Sequence, residues 1–142
     1  MKVIAVIPAR YKSTRFEGKP LVNLCGKPMI WWVHHQLCQV KGLSEIYVAT
    51  DDERIRKVCS DYGIKYVMTS DSHPTHLDRL AEFAENIESD FYININGDEP
   101  LMMPEYVERL LPTSDLNPVD FYFANAMTKI KKTVEVADIS RI

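Results

Sequence analysis

Residues Lys2–Pro8 read KVIAVIP, an almost wholly apolar run that is rich in β-branched side chains. Continuous apolar runs of this length are typical of strands buried on both faces, as in parallel sheets. A polar and basic stretch, Ala9–Pro20, follows directly and contains the breakers Gly18 and Pro20. Long loops in compact domains are usually functional. This part of the chain therefore predicts a buried strand that leads into a functional loop.

Strands and helices are predicted to alternate after this loop. The further strands are expected at Glu45–Ala49, Lys65–Thr69, Phe91–Ile95 and Phe121–Met127. Helices are expected from Pro28 to Gly42, behind a capping box from Thr50 to Glu53, around Leu77–Ala84 and from Pro104 onward. We expect Asp51 and Asp52 to serve the N-terminus of the second helix. The alternation predicts an α/β fold with a mostly parallel sheet and helices on both faces.

Ligands of such sheets bind at the carboxyl ends of the strands. This rule selects the segments that are expected to line a site, namely Pro8–Lys19, Thr50–Asp52, Thr69–Asp78 and Asn96–Pro100.

The composition is that of one soluble domain covering residues 1–142, with 46% hydrophobic and 26% charged residues. The net charge of -3 provides no general attraction to nucleic acid or to an anionic membrane, so neither is an expected partner. The N-terminal apolar run is too short for a signal peptide or a membrane span. We therefore expect a cytoplasmic protein.

The loop after the first strand concentrates positive charge. It contains Arg10, Lys12, Arg15 and Lys19 against one acid, Glu17. Arg binds phosphate oxygens in pairs and Lys supplies a compact charge, so a triphosphate is a natural occupant. Ser13 and Thr14 add hydroxyl donors, and Gly18 permits close backbone approach. The Walker A and GxGxxG patterns are both absent, which argues against the common ATPase and dehydrogenase classes.

The segment Asn96-Gly97-Asp98-Glu99-Pro100 places two carboxylates after the fourth predicted strand. Mg²⁺ prefers one or two carboxylates together with phosphate oxygens and water. Asp98 is the better ligand because its side chain is short. A basic phosphate site and a metal-binding carboxylate together indicate nucleotidyl transfer.

These two segments resemble a known family. PARYKSTRFEGKPL, residues 8–21, and the NGDEP turn are similar to the signatures of CMP-sugar synthetases, the 3-deoxy-manno-octulosonate (Kdo) and acylneuraminate cytidylyltransferases. The segments Gly26–Ile30, Val48–Asp51 and Met68–Thr69 also match the Kdo enzymes. The resemblance implies a three-layer, Rossmann-like nucleotidyltransferase fold with Mg²⁺ as cofactor. It implies transfer of CMP from CTP to a 2-keto-3-deoxy sugar acid, with Kdo as the favoured acceptor, and release of pyrophosphate. The resemblance places this reaction in lipopolysaccharide biosynthesis, carried out by a homodimer.

The resemblance also implies residue roles. Arg10 and Lys19 are expected to stabilise the transition state, and Asp98 to hold Mg²⁺. The residues expected to bind the nucleotide are Pro8, Ala9, Arg10, Ser13, Thr14, Arg15, Lys19, Thr69, Asn96 and Gly97. Thr69 lies where the family approaches the cytosine. The residues expected to bind the sugar acid are Asp78, Arg79 and Glu99.

The sequence departs from the family in three places. His76 stands where the Kdo enzymes have a small glycine, and Asn96 replaces a usual glutamine. Family members are longer, so we expect either a truncated chain or a reduced form of the enzyme, with the acceptor half missing in each case. Residues 129–142 are expected to be extended or ordered by a partner copy. The alternatives are an acylneuraminate or other nonulosonate cytidylyltransferase, and a non-catalytic nucleotide-binding module. An enzyme for a sugar phosphate or isoprenoid precursor is disfavoured because its GxGxR-type loop is absent.

Overall fold

The computed structural model describes residues 1–13, 15–113, 124 and 126. In chain order its elements are β1 (Val3–Ala9), a 3-10 turn (Lys19–Leu21), β2 (Asn23–Leu24), β3 (Lys27–Pro28), α1 (Met29–Leu37), β4 (Glu45–Thr50), α2 (Glu53–Asp61), β5 (Tyr66–Met68), α3 (His76–Asn86), β6 (Phe91–Asn94) and α4 (Pro104–Glu108). None of the described helices is long and apolar enough to cross a lipid bilayer.

The four longer strands form one parallel sheet in the order β5–β4–β1–β6. In β1, Ala9 lies beside Thr50 of β4, and Val6 lies beside Asn94 of β6. All residues of β1 except Pro8 are buried. This confirms the predicted parallel α/β fold. The strand predicted at Phe121–Met127 lies outside the described residues, apart from Ala124 and Ala126.

Helices cover both faces of this sheet, which gives three layers. Alternate residues of β1 point to opposite faces. Ala5 and Ile7 pack on one side with buried residues of α1, α2 and α4. Ile4 and Val6 pack on the other side with Phe83 of α3. The continuous apolar run of β1 is therefore needed because neither face of the strand meets water.

A short hairpin, β2–β3, precedes α1 and was not predicted. Its two-residue loop is Cys25-Gly26, and both residues have positive φ, 49° and 85°. Asn23 accepts the backbone N–H of Gly26 through Oδ1 at 2.8 Å. Two-residue hairpin loops favour glycine because it adopts positive φ without strain. Gly26 was therefore the available signal in the sequence.

Two helix boundaries differ from the prediction. α1 ends at Leu37 rather than at Gly42. After Cys38, the backbone N–H groups of Gln39 and Val40 bond three residues back, as in a 3-10 turn. The capping box at Thr50 is wrong. Thr50 belongs to β4, and the N-cap of α2 is Asp52, whose side chain accepts the backbone N–H of Arg54.

A cluster of charged residues lies at the edge of the sheet where its parallel strands begin. Glu45 accepts hydrogen bonds from Lys65 at 2.8 Å and from the Tyr47 hydroxyl at 2.7 Å, and pairs with Lys2 at 3.2 Å. These donors, Lys65 first, lower the pKa of Glu45 from 4.5 to about 2. The cluster ties β1, β4 and β5 together away from the candidate site.

Glu45→Gln is expected to lower the free energy of unfolding at pH 7 and to lose this effect in acid. The folded-state pKa, about 2, lies below the ordinary value of 4.5. The stabilisation by Glu45 is therefore complete above pH 4.5 and is lost as the pH falls toward 2. Urea unfolding of both chains at several pH values from 7 to 3 measures the difference, with the exposed Glu85→Gln as control. A difference that stays constant over this range would contradict the prediction.

Candidate active site

The predicted site segments all follow strands at one edge of the sheet. Because β1, β4, β5 and β6 are parallel, their carboxyl ends lie at the same edge. The basic loop, residues 10–19, follows β1, and the acidic turn, residues 96–100, follows β6. These neighbouring strands therefore bring the two segments together, as the sequence predicted.

Lys19 and Asp98 are the direct contact between these segments. Lys19 Nζ lies 2.5 Å from Asp98 Oδ2, and the two side chains are 39% and 46% exposed. Lys19, which is expected to bind phosphate, thus contacts Asp98, which is expected to bind Mg²⁺. Ion pairs this exposed contribute about 0–1 kcal/mol. This ion pair can therefore be broken at small cost.

The basic loop closes back on its own beginning. Gly18 donates its backbone N–H to the Tyr11 carbonyl oxygen at 2.8 Å. Gly18 has a φ of 70°, and a Cβ there would lie 3.1 Å from the Tyr11 ring. Glycine is required here both for the left-handed conformation and for the close approach of the ring. This hydrogen bond closes the loop one residue before Lys19.

The other cations of the loop are open to a ligand. Lys12, Ser13 and Arg15 are exposed, and Arg10 is half-buried at the end of β1. Within the described part of the chain, Arg10, Lys12 and Arg15 form no ion pair. Ser13 Oγ accepts the backbone N–H of Phe16 at 3.4 Å. Thr14 lies outside the described residues.

Arg79 belongs to α3, and its side chain contacts Asp51 and Thr69, which follow β4 and β5. Its side chain is fully buried. Nη1 donates to Thr69 Oγ1 at 2.5 Å, and Nη2 lies 3.3 Å from Asp51 Oδ1. Burial lowers the pKa of Arg79; the charge of Asp51 opposes this shift, and the nearby charge of Arg10 adds to it. Thr69, which is expected near the cytosine, and Arg79, which is expected to bind the sugar acid, are thus hydrogen-bonded to each other.

Asp51 therefore has a different role from the one predicted. We expected it to serve the N-terminus of α2 together with Asp52. Only Asp52 caps that helix, whereas Asp51 is the carboxylate that faces the buried guanidinium of Arg79.

Asp78, another expected sugar residue, is engaged in capping α3. Its Oδ2 accepts from the backbone N–H of Thr75 at 3.0 Å and from the Thr75 hydroxyl at 2.6 Å, and Thr75 Oγ1 accepts the backbone N–H of Asp78. The hydrogen bond from Thr75 is the main cause that lowers the pKa of Asp78. His76 is the first residue of α3 and is exposed.

The acidic turn is ordered by its own side chains. Asn96 Nδ2 donates to Glu99 Oε1 at 3.1 Å, which leaves Asp98 to meet Lys19. A Cβ on Gly97 would lie 3.4 Å from the carbonyl oxygen of Pro8, an ordinary contact distance. The turn therefore lies against the end of β1, where the expected nucleotide residues Pro8 and Ala9 are found.

The family of the chain follows from a sequence comparison. A family model described as cytidylyltransferase matches residues 4–141. The chain belongs to the cytidylyltransferase family. The resemblance that was noted in the basic loop and in the acidic turn is thereby confirmed.

Curated cytidylyltransferases extend beyond the part that this chain matches. The 3-deoxy-manno-octulosonate cytidylyltransferase of Escherichia coli is 47% identical over 110 residues, which cover 78% of this chain and 45% of that protein. The 8-amino-3,8-dideoxy-manno-octulosonate cytidylyltransferase of Shewanella sp. (strain W3-18-1) is 41% identical over 141 residues, covering 97% and 58%. The chain thus spans about half the length of the curated relatives it matches.

Solved cytidylyltransferase structures share the fold. A CMP:2-keto-3-deoxy-manno-octonic acid synthetase complexed with CTP has a TM-score of 0.76 and 46% identity, over 78% of this chain and 46% of that one. A cytidylyltransferase from Leptospira borgpetersenii has a TM-score of 0.68 at 22% identity, over 78% and 47%. These matches confirm the Rossmann-like nucleotidyltransferase fold.

The residues at this edge fit a magnesium ion only if a substrate supplies further ligands. Among the residues that the structure describes, no group of three or more His, Cys, Asp or Glu side chains is placed to hold a metal. Asp98 offers one half-exposed carboxylate. One carboxylate completed by phosphate oxygens and water is a common Mg²⁺ site at nucleotides.

Proposed function

We propose that this chain binds CTP with Mg²⁺ at the carboxyl edge of its sheet and transfers CMP to a 2-keto-3-deoxy sugar acid, releasing pyrophosphate. The contact between Lys19 and Asp98 carries the proposal, since it unites a cationic loop with a carboxylate at this edge. Membership of the cytidylyltransferase family supports cytidine as the nucleoside. The relatives described above support an octulosonate as the acceptor.

The loop cations are proposed to bind the triphosphate. Arg10, Arg15 and Lys19 belong to the loop that follows β1, and Ser13 and Thr14 would add hydroxyl donors. Arg10 and Lys19 are proposed to neutralise the charge that develops on the departing pyrophosphate.

In the proposed reaction the anomeric hydroxyl of the sugar acid attacks the α-phosphorus of CTP. A bond forms between that hydroxyl oxygen and phosphorus as the hydroxyl loses its proton. The bond from the α-phosphorus to the bridging oxygen breaks, and pyrophosphate leaves. The protein contributes mainly by holding both substrates in line and by neutralising charge.

Asp98 is the proposed Mg²⁺ ligand. When bound, Mg²⁺ would neutralise phosphate charge and help to orient the triphosphate. Lys19 Nζ lies on Asp98 in the free chain and would move to the phosphates when the cation takes this carboxylate.

The backbone at Pro8 and Ala9, with Thr69, Asn96 and Gly97, is proposed to contact the nucleoside. Thr69 is 8% exposed and its hydroxyl accepts from Arg79. Thr69 would therefore contact the cytosine while its hydroxyl is held in place by the buried Arg79.

Two octulosonates are candidates for the acceptor. Kdo is favoured by the 47% identity of the Escherichia coli relative, and its 8-amino-8-deoxy analogue by the match of the Shewanella relative to 97% of the chain. Glu99 is proposed to contact the sugar acid, with Asp78 and Arg79 nearby. Because Arg79 pairs with Asp51, we propose that it contributes to substrate binding indirectly, by holding Thr69 in place.

Calorimetric titration tests the nucleotide site. We expect CTP with Mg²⁺ to bind the chain, and ATP and GTP to bind at least tenfold more weakly. Pyrophosphate release from CTP is then followed with Kdo or its 8-amino analogue, with Asp98→Asn as the inactive comparison. Binding of CTP without transfer would favour the non-catalytic nucleotide-binding module, and binding of no nucleotide would overturn the proposal. The homodimer and the cytoplasmic location stay predictions.

A further inference from the structure

The ring of Tyr11 lies between the basic loop and helix α2. The guanidinium carbon of Arg54, on α2, lies 3.2 Å from the centroid of this ring. Gly18, near the far end of the loop, bonds to the Tyr11 carbonyl oxygen and packs beside the same ring. Tyr11 thus connects both ends of the loop to a helix that was not among the predicted site segments.

Arg54 is itself held in a fixed orientation. Asp52 accepts from Arg54 Nε at 2.9 Å and from Nη2 at 2.7 Å, a paired geometry that fixes the guanidinium plane. Asp52 also caps α2 by accepting the backbone N–H of Arg54 at 2.9 Å. The hydrogen bonds that Arg54 donates to Asp52 raise the pKa of Arg54, and the charge of Glu17 in the loop contributes in the same direction.

The loop is not packed continuously onto α2. An open groove of about 460 Å³ runs along the surface between them, lined by residues of the loop, of the segment after it and of α2, including Tyr11, Leu21, Val22 and Val58. Tyr11, Leu21 and Val58 all pack against the same hydrophobic core below this groove. The stack of Tyr11 on Arg54 is a contact that bridges this groove.

We infer that Arg54 is a positioning residue, which holds the basic loop in its phosphate-binding shape before the nucleotide arrives. A loop that is already ordered loses less conformational entropy when it binds. The inference rests on the proposed function for the identity of the ligand, but not for the effect of Arg54 on the free loop. Arg56, on the same helix, pairs with Glu53 and serves as the matched control.

The experiment compares Arg54→Gln with Arg56→Gln in the full 142-residue chain. Trypsin cleavage after Lys12 and Arg15, followed by mass spectrometry without nucleotide, reports the order of the loop. Calorimetry reports the affinity for CTP with Mg²⁺. We expect Arg54→Gln to increase cleavage and to weaken CTP binding, each by about threefold to tenfold, with an unchanged melting temperature. Arg56→Gln is expected to change neither.

Tyr11→Leu provides an independent variant. It is expected to reproduce both effects of Arg54→Gln, and the double variant should add little, because the two residues form one contact. Unchanged loop cleavage in Arg54→Gln would overturn the inference, as would faster cleavage with an unaltered CTP affinity. If the wild-type chain binds no CTP but Arg54→Gln still loosens the loop, the role of Arg54 in ordering the loop stands and the proposed function fails.

Discussion

Asp51→Ala is expected to lower the free energy of unfolding by about 3–5 kcal/mol, because it leaves a buried guanidinium without its carboxylate. The side chain of Arg79 has no exposed surface, and Asp51 Oδ1 lies 3.3 Å from its Nη2. Thr69 would remain as a hydrogen-bond partner, but a hydroxyl does not balance the charge. The nearby charge of Arg10 would increase the penalty further. Urea denaturation at pH 7 measures the loss.

Two further variants decide whether this loss comes from the buried charge. Asp61→Ala removes an exposed carboxylate that pairs with Lys57, and it should cost less than about 0.5 kcal/mol. Arg79→Met in the Asp51→Ala background should recover most of the lost stability, because the uncompensated charge is gone. A loss below about 1 kcal/mol for Asp51→Ala would show that another group balances Arg79.

Lys19→Ala is expected to weaken CTP binding by about 10- to 100-fold, the usual effect of losing a hydrogen bond to a charged group. The same change should strengthen the binding of a divalent cation to the nucleotide-free chain by up to about fivefold. The reason is that Lys19 Nζ lies 2.5 Å from Asp98 Oδ2 and competes for that carboxylate. Calorimetry with CTP, and electron paramagnetic resonance with Mn²⁺ alone, measure the two effects.

Lys12→Ala is the matched control for Lys19→Ala. Lys12 belongs to the same loop and is exposed, and within the described residues it forms no ion pair. Its removal should weaken CTP binding by less than about threefold and leave cation binding unchanged, since its charge is screened by water. Equal losses of CTP affinity from the two variants would mean that the net charge of the loop, rather than the position of Lys19, governs binding.

Sequence patterns predicted the parts of this molecule that depend on local order along the chain. The apolar run of β1 predicted a strand buried on both faces, and the alternation of strands and helices predicted the parallel sheet. Parallel strands share their carboxyl edge, so the sequence alone predicts that the loop with Lys19 and the turn with Asp98 line one site. Gly18 likewise marked a close backbone approach.

Helix boundaries were less predictable because neighbouring residues compete for the same role. Thr50 and Asp52 both suit an N-cap. Thr50 pairs with β1 and β5 and is buried in the sheet, which leaves Asp52 to begin α2. Pairing between strands cannot be seen in residues that are adjacent along the chain. The sequence pattern therefore predicts the N-cap two residues before its position in the structure.

By itself, then, the sequence determined the parallel α/β fold, the edge that carries the site, and the basic and acidic segments that meet there. Only the tertiary structure decided that Arg79 is buried against Asp51 and Thr69, and that Arg54 stacks on Tyr11. A charged helix residue is usually exposed, and nothing in its neighbours along the chain shows otherwise. These contacts join residues from different elements, and they exist only once the sheet and its helices have packed together.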